Sequence, residues 1–303
     1  MSGIGHEATR HRRMLVLCLA AVYIVWGTSY VATRVGVQHL PPLLFGGVRF
    51  IIAGVGLTSI ALWRGFRPAA LRGQWRHLLV LSLLVISLSN GLQIWAMQWV
   101  QANTSSLLNA SCAFWIVLFG LTGRRAHHPG ARAIAGLIIG FVGTALLVWP
   151  SGSSTSAAVP LLPQLMILAS CVFWSVGTIY MRNHTDIDLF ALLGLPMLLG
   201  GTWMTLAGLA DGEAARWHWS LPGMLALTYL VFASSGIAYM AYAWLARHAT
   251  PAQTGTYSYV NPAFTAVSGY LLLGERMNAL QGVGAAVILA GVLMINLPER
   301  SAR

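Results

Sequence analysis

The sequence predicts an all-α integral membrane protein with ten transmembrane helices, arranged as two inverted five-helix repeats. Three observations carry that prediction. The first is composition: of 303 residues, 57% are hydrophobic and only 8% charged, against about 25% charged in a soluble domain. So few charges cannot cover a water-facing surface, and no acid at all occurs between Glu7 and Asp186. The second is a succession of apolar runs of bilayer length. The third is a set of short phrases that recur in the same order in both halves of the chain.

A hydrocarbon core of about 30 Å needs roughly 20 apolar residues per helix. Runs of that kind cover 14–34, 42–63, 77–99, 103–122, 131–149, 160–181, 187–210, 221–245, 251–273 and 279–297. The first follows Arg10, Arg12 and Arg13, as the core of a signal peptide would. It is too long for one, and Trp and Tyr stand where small cleavage-site residues belong, so it is expected to stay attached. The second contains Arg49, about seven residues in, roughly 10 Å along the helix from its outer end. The third contributes Asn90, Gln93 and Met97. The fourth carries Trp115, the sixth Trp174, and the seventh Pro196 among Gly194, Gly200 and Gly201, a pattern expected to bend the helix. The eighth offers Ser235, Tyr239 and Tyr242. In the ninth, Thr254, Tyr257, Asn261, Thr265 and Ser268 step by three and four, which places them on one helical face. Pro262 there frees a carbonyl one turn earlier.

The formal net charge is +11, and all 18 basic residues are arginine. In a soluble protein that excess would point to nucleic acid. Here the arginines sit in short loops between apolar runs, so they read as a topology signal instead. The N-terminus, the even-side loops and the C-terminus hold Arg10, Arg12, Arg13, Arg64, Arg67, Arg72, Arg76, Arg124, Arg125, Arg132, Arg182, Arg247, Arg300 and Arg303. The opposite loops hold only Arg34, Arg216 and Arg276. Both termini, the tails 1–13 and 299–303, are therefore expected on the cytoplasmic side. Cys18, Cys112 and Cys171 each lie inside an apolar run without CxxC spacing and read as small apolar filler.

The repeats fall in order. Gly27, Thr28 and Tyr30 match Gly177, Thr178 and Tyr180. NGLQIWAM at 90–97 aligns with SGIAYMAY at 235–242, FGLTGRR at 119–125 with YLLLGER at 270–276, and GTALLVWP at 143–150 with GVLMINLP at 291–298. This divides the chain into units 14–150 and 160–298 of five spans each. Five is odd, so the second unit enters the bilayer from the opposite side, the arrangement that supports alternating access in carriers.

Several short marks then resemble the EamA-type exporters of the drug/metabolite transporter superfamily. They are Trp26-Gly27-Thr28-Ser29-Tyr30, Arg49-Phe50, Asn261-Pro262 and Gly274-Glu275-Arg276. The resemblance covers 14–298 and implies a multi-pass protein of the bacterial inner membrane that exports small metabolites, often amino acids or related compounds. Ala110-Ser111 replaces a proline common in the fourth span of that family, and Arg124 stands where a glutamate often follows it.

Polar and aromatic residues at bilayer depth are the candidates for a substrate path. Those expected to bind substrate are Trp26, Tyr30, Arg49, Asn90, Gln93, Trp174, Tyr239, Tyr257 and Asn261. Trp26, Trp115 and Trp174 lie about midway along their spans, away from the interfaces where tryptophan usually gathers. Arg49 needs a partner, since a charge at helix centre costs about 2.5–3.5 kcal/mol on insertion scales. The candidates are Glu275 at the outer rim, with which it would form a gate, backbone carbonyls, aromatic faces, or a substrate carboxylate. No span has an acid in its interior, so proton exchange through an intramembrane carboxylate is not expected. The histidines stay near loops and neither HExxH nor GxSxG occurs, which leaves an intramembrane enzyme or a channel-like facilitator as lesser alternatives. No cofactor or metal is implied. The expected partners are the lipid bilayer and a small-molecule substrate, and nothing in the sequence assigns an oligomeric state.

Overall fold

A computed structural model of the chain describes residues 2–122, 126, 128–148, 161–183, 188–273 and 279–296. The helices are α1 (Ser2–His39), α2 (Pro42–Trp63), α3 (Trp75–Ala96), α4 (Ala102–Gly120), α5 (Ala131–Val148), α6 (Leu161–Asn183), α7 (Leu189–Ala210) and α8 (Leu221–His248). Next comes α9, which runs as Pro251–Gly255 and, past a turn at Thr256, as Tyr257–Leu273; α10 (Ala279–Asn296) follows. Each apolar run of the sequence is helical over most of its described part, and no strand occurs among the described residues. Seven of the described helices, α1–α4 and α6–α8, are long and apolar enough to cross a membrane. Leu17, Phe114, Leu225, Phe232 and Leu293 are each more than half exposed, as side chains facing lipid would be.

Two boundaries differ from expectation for a physical reason. α1 continues past residue 34 to His39, so Arg34 is part of a helix and not of a loop. Its guanidinium reaches sideways to the carbonyls of Met97 and Gln98, just beyond the end of α3. It thereby satisfies acceptors that a helix C-terminus leaves unpaired. At the other boundary, Arg182 of α6 does the same for Ala246 (3.4 Å) and Ala249 at the end of α8.

Both α3 and α8 widen into π-helix mid-span, over Ser82–Asn90 and Leu230–Ala238. Such windings are rare and concentrate at functional sites. In α3 the wide turns are tied by side chains reaching back five residues, Ser87 Oγ to the Ser82 carbonyl (3.1 Å) and Asn90 Nδ2 to that of Val85 (2.7 Å).

Two helix crossings bring backbones into direct contact. Where α2 meets α7, a Cβ on Gly54 would lie 2.7 Å from Leu198 N, and one on Gly201 2.9 Å from the Gly47 carbonyl. Where α5 meets α10, a Cβ on Gly143 would lie 2.7 Å from Ile288 N, and one on Gly291 2.8 Å from the Gly136 carbonyl. Small residues at such contacts replace the hydrophobic driving force that lipid removes. The glycines around Pro196 are absorbed by the same packing: Gly194 and Gly201 face α2, and Gly200 faces Ile86 of α3. The helix runs without a break through Pro196.

At the start of α2, Glu213 from the α7–α8 connection is only 1% exposed. Its carboxylate accepts the backbone N–H groups of Leu43 (3.2 Å) and Leu44 (2.7 Å). A carboxylate suits the positive end of a helix dipole, and the contact pins the α7–α8 connection to the helix that carries Arg49.

Candidate functional site

Helices α1, α2, α3, α4, α6, α8 and α9 surround a cavity of about 70 Å³. Trp26, Tyr30, Arg49, Asn90, Gln93, Trp174, Tyr239, Tyr257 and Asn261 all line it. The structure thus brings together every residue singled out for substrate contact, from six helices. Glu275, expected at the rim, lies outside the described residues. Trp115 is half-buried against Phe114 and Phe119 and does not reach the cavity. Met97 is buried elsewhere, beside Arg34.

One wall is aromatic, with Trp26 at its hub. The Trp26 ring centroid lies 5.4 Å from Trp174, 5.3 Å from Tyr239 and 5.2 Å from Tyr257, each edge to face. Pairs in this geometry contribute about 0.5–1.5 kcal/mol beyond their area burial. Hydrogen bonds behind the wall hold it. Trp174 Nε1 donates to the Tyr242 hydroxyl (3.0 Å), which also meets Thr178 Oγ1 (2.7 Å), and Asn90 Nδ2 donates to the Tyr239 hydroxyl (2.7 Å).

Arg49 is 5% exposed. Its Nε donates to Ser235 Oγ (2.8 Å) and its Nη2 to Ser234 Oγ (2.9 Å), while the guanidinium carbon lies 4.6 Å from the Phe50 ring centroid. Its clamp is therefore a pair of hydroxyls on α8 and an aromatic face, not loop carbonyls. Two neutral hydroxyls leave the positive charge uncompensated, and among the described residues Nη1 has no hydrogen-bond partner.

Thr265 and Ser268, on the polar face of α9, act within the helix packing. Thr265 Oγ1 reaches the carbonyls of Gly27 and Asn261, both at 2.8 Å, and Ser268 Oγ that of Thr265 at 3.0 Å.

The cavity also takes in Ser29, Thr33, Ser89, Asn109 and Ser234. Ser29 and Thr33 lie beside Trp26 and Tyr30 at helical spacing and were open to the same periodicity argument. Ser234 was not. An α-helical period joins Ser235 to Tyr239 and Tyr242, yet the cavity takes Ser234 with Tyr239. That spacing of five is the hydrogen-bonding step of the π-helix.

Residues 13–149 and 161–297 each match the EamA-like transporter family. The chain belongs to that family. It is 31% identical over 297 residues to the uncharacterized inner membrane transporter YedA of Escherichia coli K12, covering 95% of this chain and 93% of YedA. A protein of the same organism named probable amino-acid metabolite efflux pump is 27% identical over 294 residues, covering 93% of this chain and 94% of the relative. A solved crystal structure with 20% identity superposes with a TM-score of 0.74 over 93% of this chain and 96% of its own, a likeness of fold. As an EamA-family member built of apolar helices, the chain is a multi-pass integral membrane transporter and not an enzyme.

Proposed function

We propose that this EamA-family transporter is a carrier that exports a small amphipathic metabolite bearing a carboxylate, with hydrophobic and aromatic amino acids as leading candidates. The single observation that carries the reading is the pairing, in one cavity, of a clamped arginine, its Nη1 without a hydrogen-bond partner among the described residues, and the aromatic wall around Trp26. The arginine takes the carboxylate and the wall takes the apolar part, by stacking or cation–π contact. The cavity of about 70 Å³ is small beside the roughly 300–1,000 Å³ of typical ligand pockets, so the substrate is small and loading it moves helices. The name of the E. coli efflux relative agrees with this class.

In this reading ten helices cross the bilayer, with units 14–150 and 160–298 inverted relative to one another and both termini cytoplasmic. The double family match and the antiparallel glycine crossings of α2 with α7 and α5 with α10 support it. Alternating access follows from rocking one unit against the other around the cavity. Arg49 closes the outer side with Glu275 as its gate partner. No intramembrane carboxylate takes part: transport is downhill facilitation or is coupled through loop-edge groups such as Glu275.

Counterflow in liposomes tests the carrier: preloaded substrate accelerates uptake of labelled substrate, which a channel does not support. Arg49→Leu is expected to abolish counterflow of phenylalanine and leucine while the protein still elutes as a folded species. Counterflow surviving that substitution refutes the carboxylate assignment. Accumulation strictly tied to a pH gradient and persisting in Glu275→Gln refutes the account of coupling.

A further inference from the structure

Asn261 is 1% exposed, and among the described residues neither its Oδ1 nor its Nδ2 has a hydrogen-bond partner. Leaving both ends of a buried amide unpaired is unfavourable, and such groups call for an explanation. The backbone around it is fixed. A Cβ on Gly27 of α1 would lie 3.4 Å from the Asn261 carbonyl, which itself accepts from Thr265 Oγ1 at 2.8 Å. The side chain lines the central cavity together with Tyr30 and Gln93. These three are neutral, and among the described residues Arg49 is the one charged side chain lining that cavity.

A carboxamide offers an acceptor and a donor side by side. It complements a ligand that brings a donor and an acceptor of its own. With a carboxylate on Arg49 and, among the described residues, no acid lining the cavity, an ammonium group is held by neutral oxygens and aromatic faces. We infer that Asn261 reads the amino group of the transported molecule, so that the carrier selects amino acids over the corresponding simple carboxylic acids. This rests on the carboxylate assignment to Arg49. The ammonium donates to Oδ1 with the faces of Trp26 and Tyr257 beside it, and Nδ2 donates to the carboxylate oxygen that Arg49 leaves free. A site built to hydrogen-bond a substrate N–H rejects the analogue that lacks it, because its own buried groups are then left unpaired.

The test uses purified transporter in liposomes and five probes: L-phenylalanine, L-leucine, their deaminated counterparts 3-phenylpropionate and 4-methylpentanoate, and phenethylamine. Wild type is expected to take up each amino acid at least about tenfold better than its deaminated counterpart. Asn261→Leu, similar in size, lowers amino-acid uptake more than acid uptake, so that ratio falls toward one. The same substitution raises the apparent melting temperature in detergent, because it removes the unpaired amide; an asparagine kept for structure would lower it. Should Asn261→Leu fail to fold, thermal shifts on wild type decide: phenylalanine raises the melting temperature and 3-phenylpropionate does not. Equal transport or equal shifts for acid and amino acid overturn the inference alone, as does an unchanged ratio in folded Asn261→Leu. Preference for phenethylamine overturns the carboxylate at Arg49 and this inference with it.

Discussion

The two family-matched segments, 13–149 and 161–297, share their frame and differ in their chemistry. Gly47 and Gly54 of α2 recur as Gly194 and Gly201 of α7, 147 positions on, and the four meet at one crossing. Gly136 and Gly143 of α5 recur as Gly284 and Gly291 of α10, 148 positions on, at the other. A π-helical stretch also recurs in the third helix of each segment, Ser82–Asn90 in α3 and Leu230–Ala238 in α8. Three of the most distinctive cavity residues do not recur. At the matching shifts Trp26 faces Val176, Arg49 faces Pro196 and Asn261 faces Ala110. Even where the phrase is kept, its use diverges: Tyr30 lines the cavity, while Tyr180 hydrogen-bonds to His77. Repetition preserves the places where backbones touch, while the cavity's central indole, its charge and its unpaired amide, Trp26, Arg49 and Asn261, stand opposite unlike residues.

The largest effect should come from breaking a shared contact. Gly54→Val drives methyl groups into the α7 backbone at a point where even a Cβ sits 2.7 Å from Leu198 N. Overpacking against backbone cannot be relieved by a rotamer change and should cost about 3 kcal/mol. Gly56→Val, two residues along the same helix, meets nothing within 4 Å and serves as control. Size-exclusion profiles in detergent are expected to show loss of the monodisperse species for Gly54→Val and Gly201→Val alike, with Gly56→Val unaffected. A tolerated Gly54→Val would remove the crossing from the shared frame.

A middle-sized effect separates role from register. Arg34 and Arg182 each tie the end of a neighbouring helix, α3 and α8. Yet Arg34 follows Tyr30 by four residues and Arg182 follows Tyr180 by two. Replacing either by Gln removes a charge-assisted contact to helix-end carbonyls, worth about 1–2 kcal/mol. The two arginines hold the ends of different helices, so the double variant should lose the sum in apparent melting temperature. A marked shortfall would mean that the two ends are coupled.

That pair also shows what could be read from the chain alone. Helix existence was legible almost throughout, because in lipid only a helix satisfies its own backbone and the apolar runs mark each one. The candidate cavity residues were legible because bilayer depth makes Arg49, Asn261 and Trp26 conspicuous. Arg34 was misplaced because charge reads as a loop signal, and a guanidinium capping another helix has no local signature. Ser234 was missed because a π-turn shifts the face by one residue and no periodicity announces it. Glu213 escaped attention as one more loop acid, since its partners are the N–H groups of Leu43 and Leu44, about 170 residues away in sequence.

The smallest effect concerns the starts of α4 and α9. α9 opens with a reciprocal cap: Thr250 Oγ1 accepts from Gln253 N and Gln253 Oε1 from Thr250 N, both at 3.1 Å, with Pro251 in the first turn. α4 opens after Gln101 with no side-chain cap. Its first turn instead borders a second cavity of about 300 Å³, lined by Arg34, Gln38, Gln101, Asn103 and Thr265, where water can meet the free N–H groups. Thr250→Ala should therefore lose about 1 kcal/mol, whereas Gln101→Ser should gain about 0.5 kcal/mol, since serine is among the preferred caps. Opposite signs of the change in apparent melting temperature are the expected result. A loss on Gln101→Ser would mean that the glutamine side chain holds this end of α4 by packing, and that the two starts differ in how they are held and not in whether they are held.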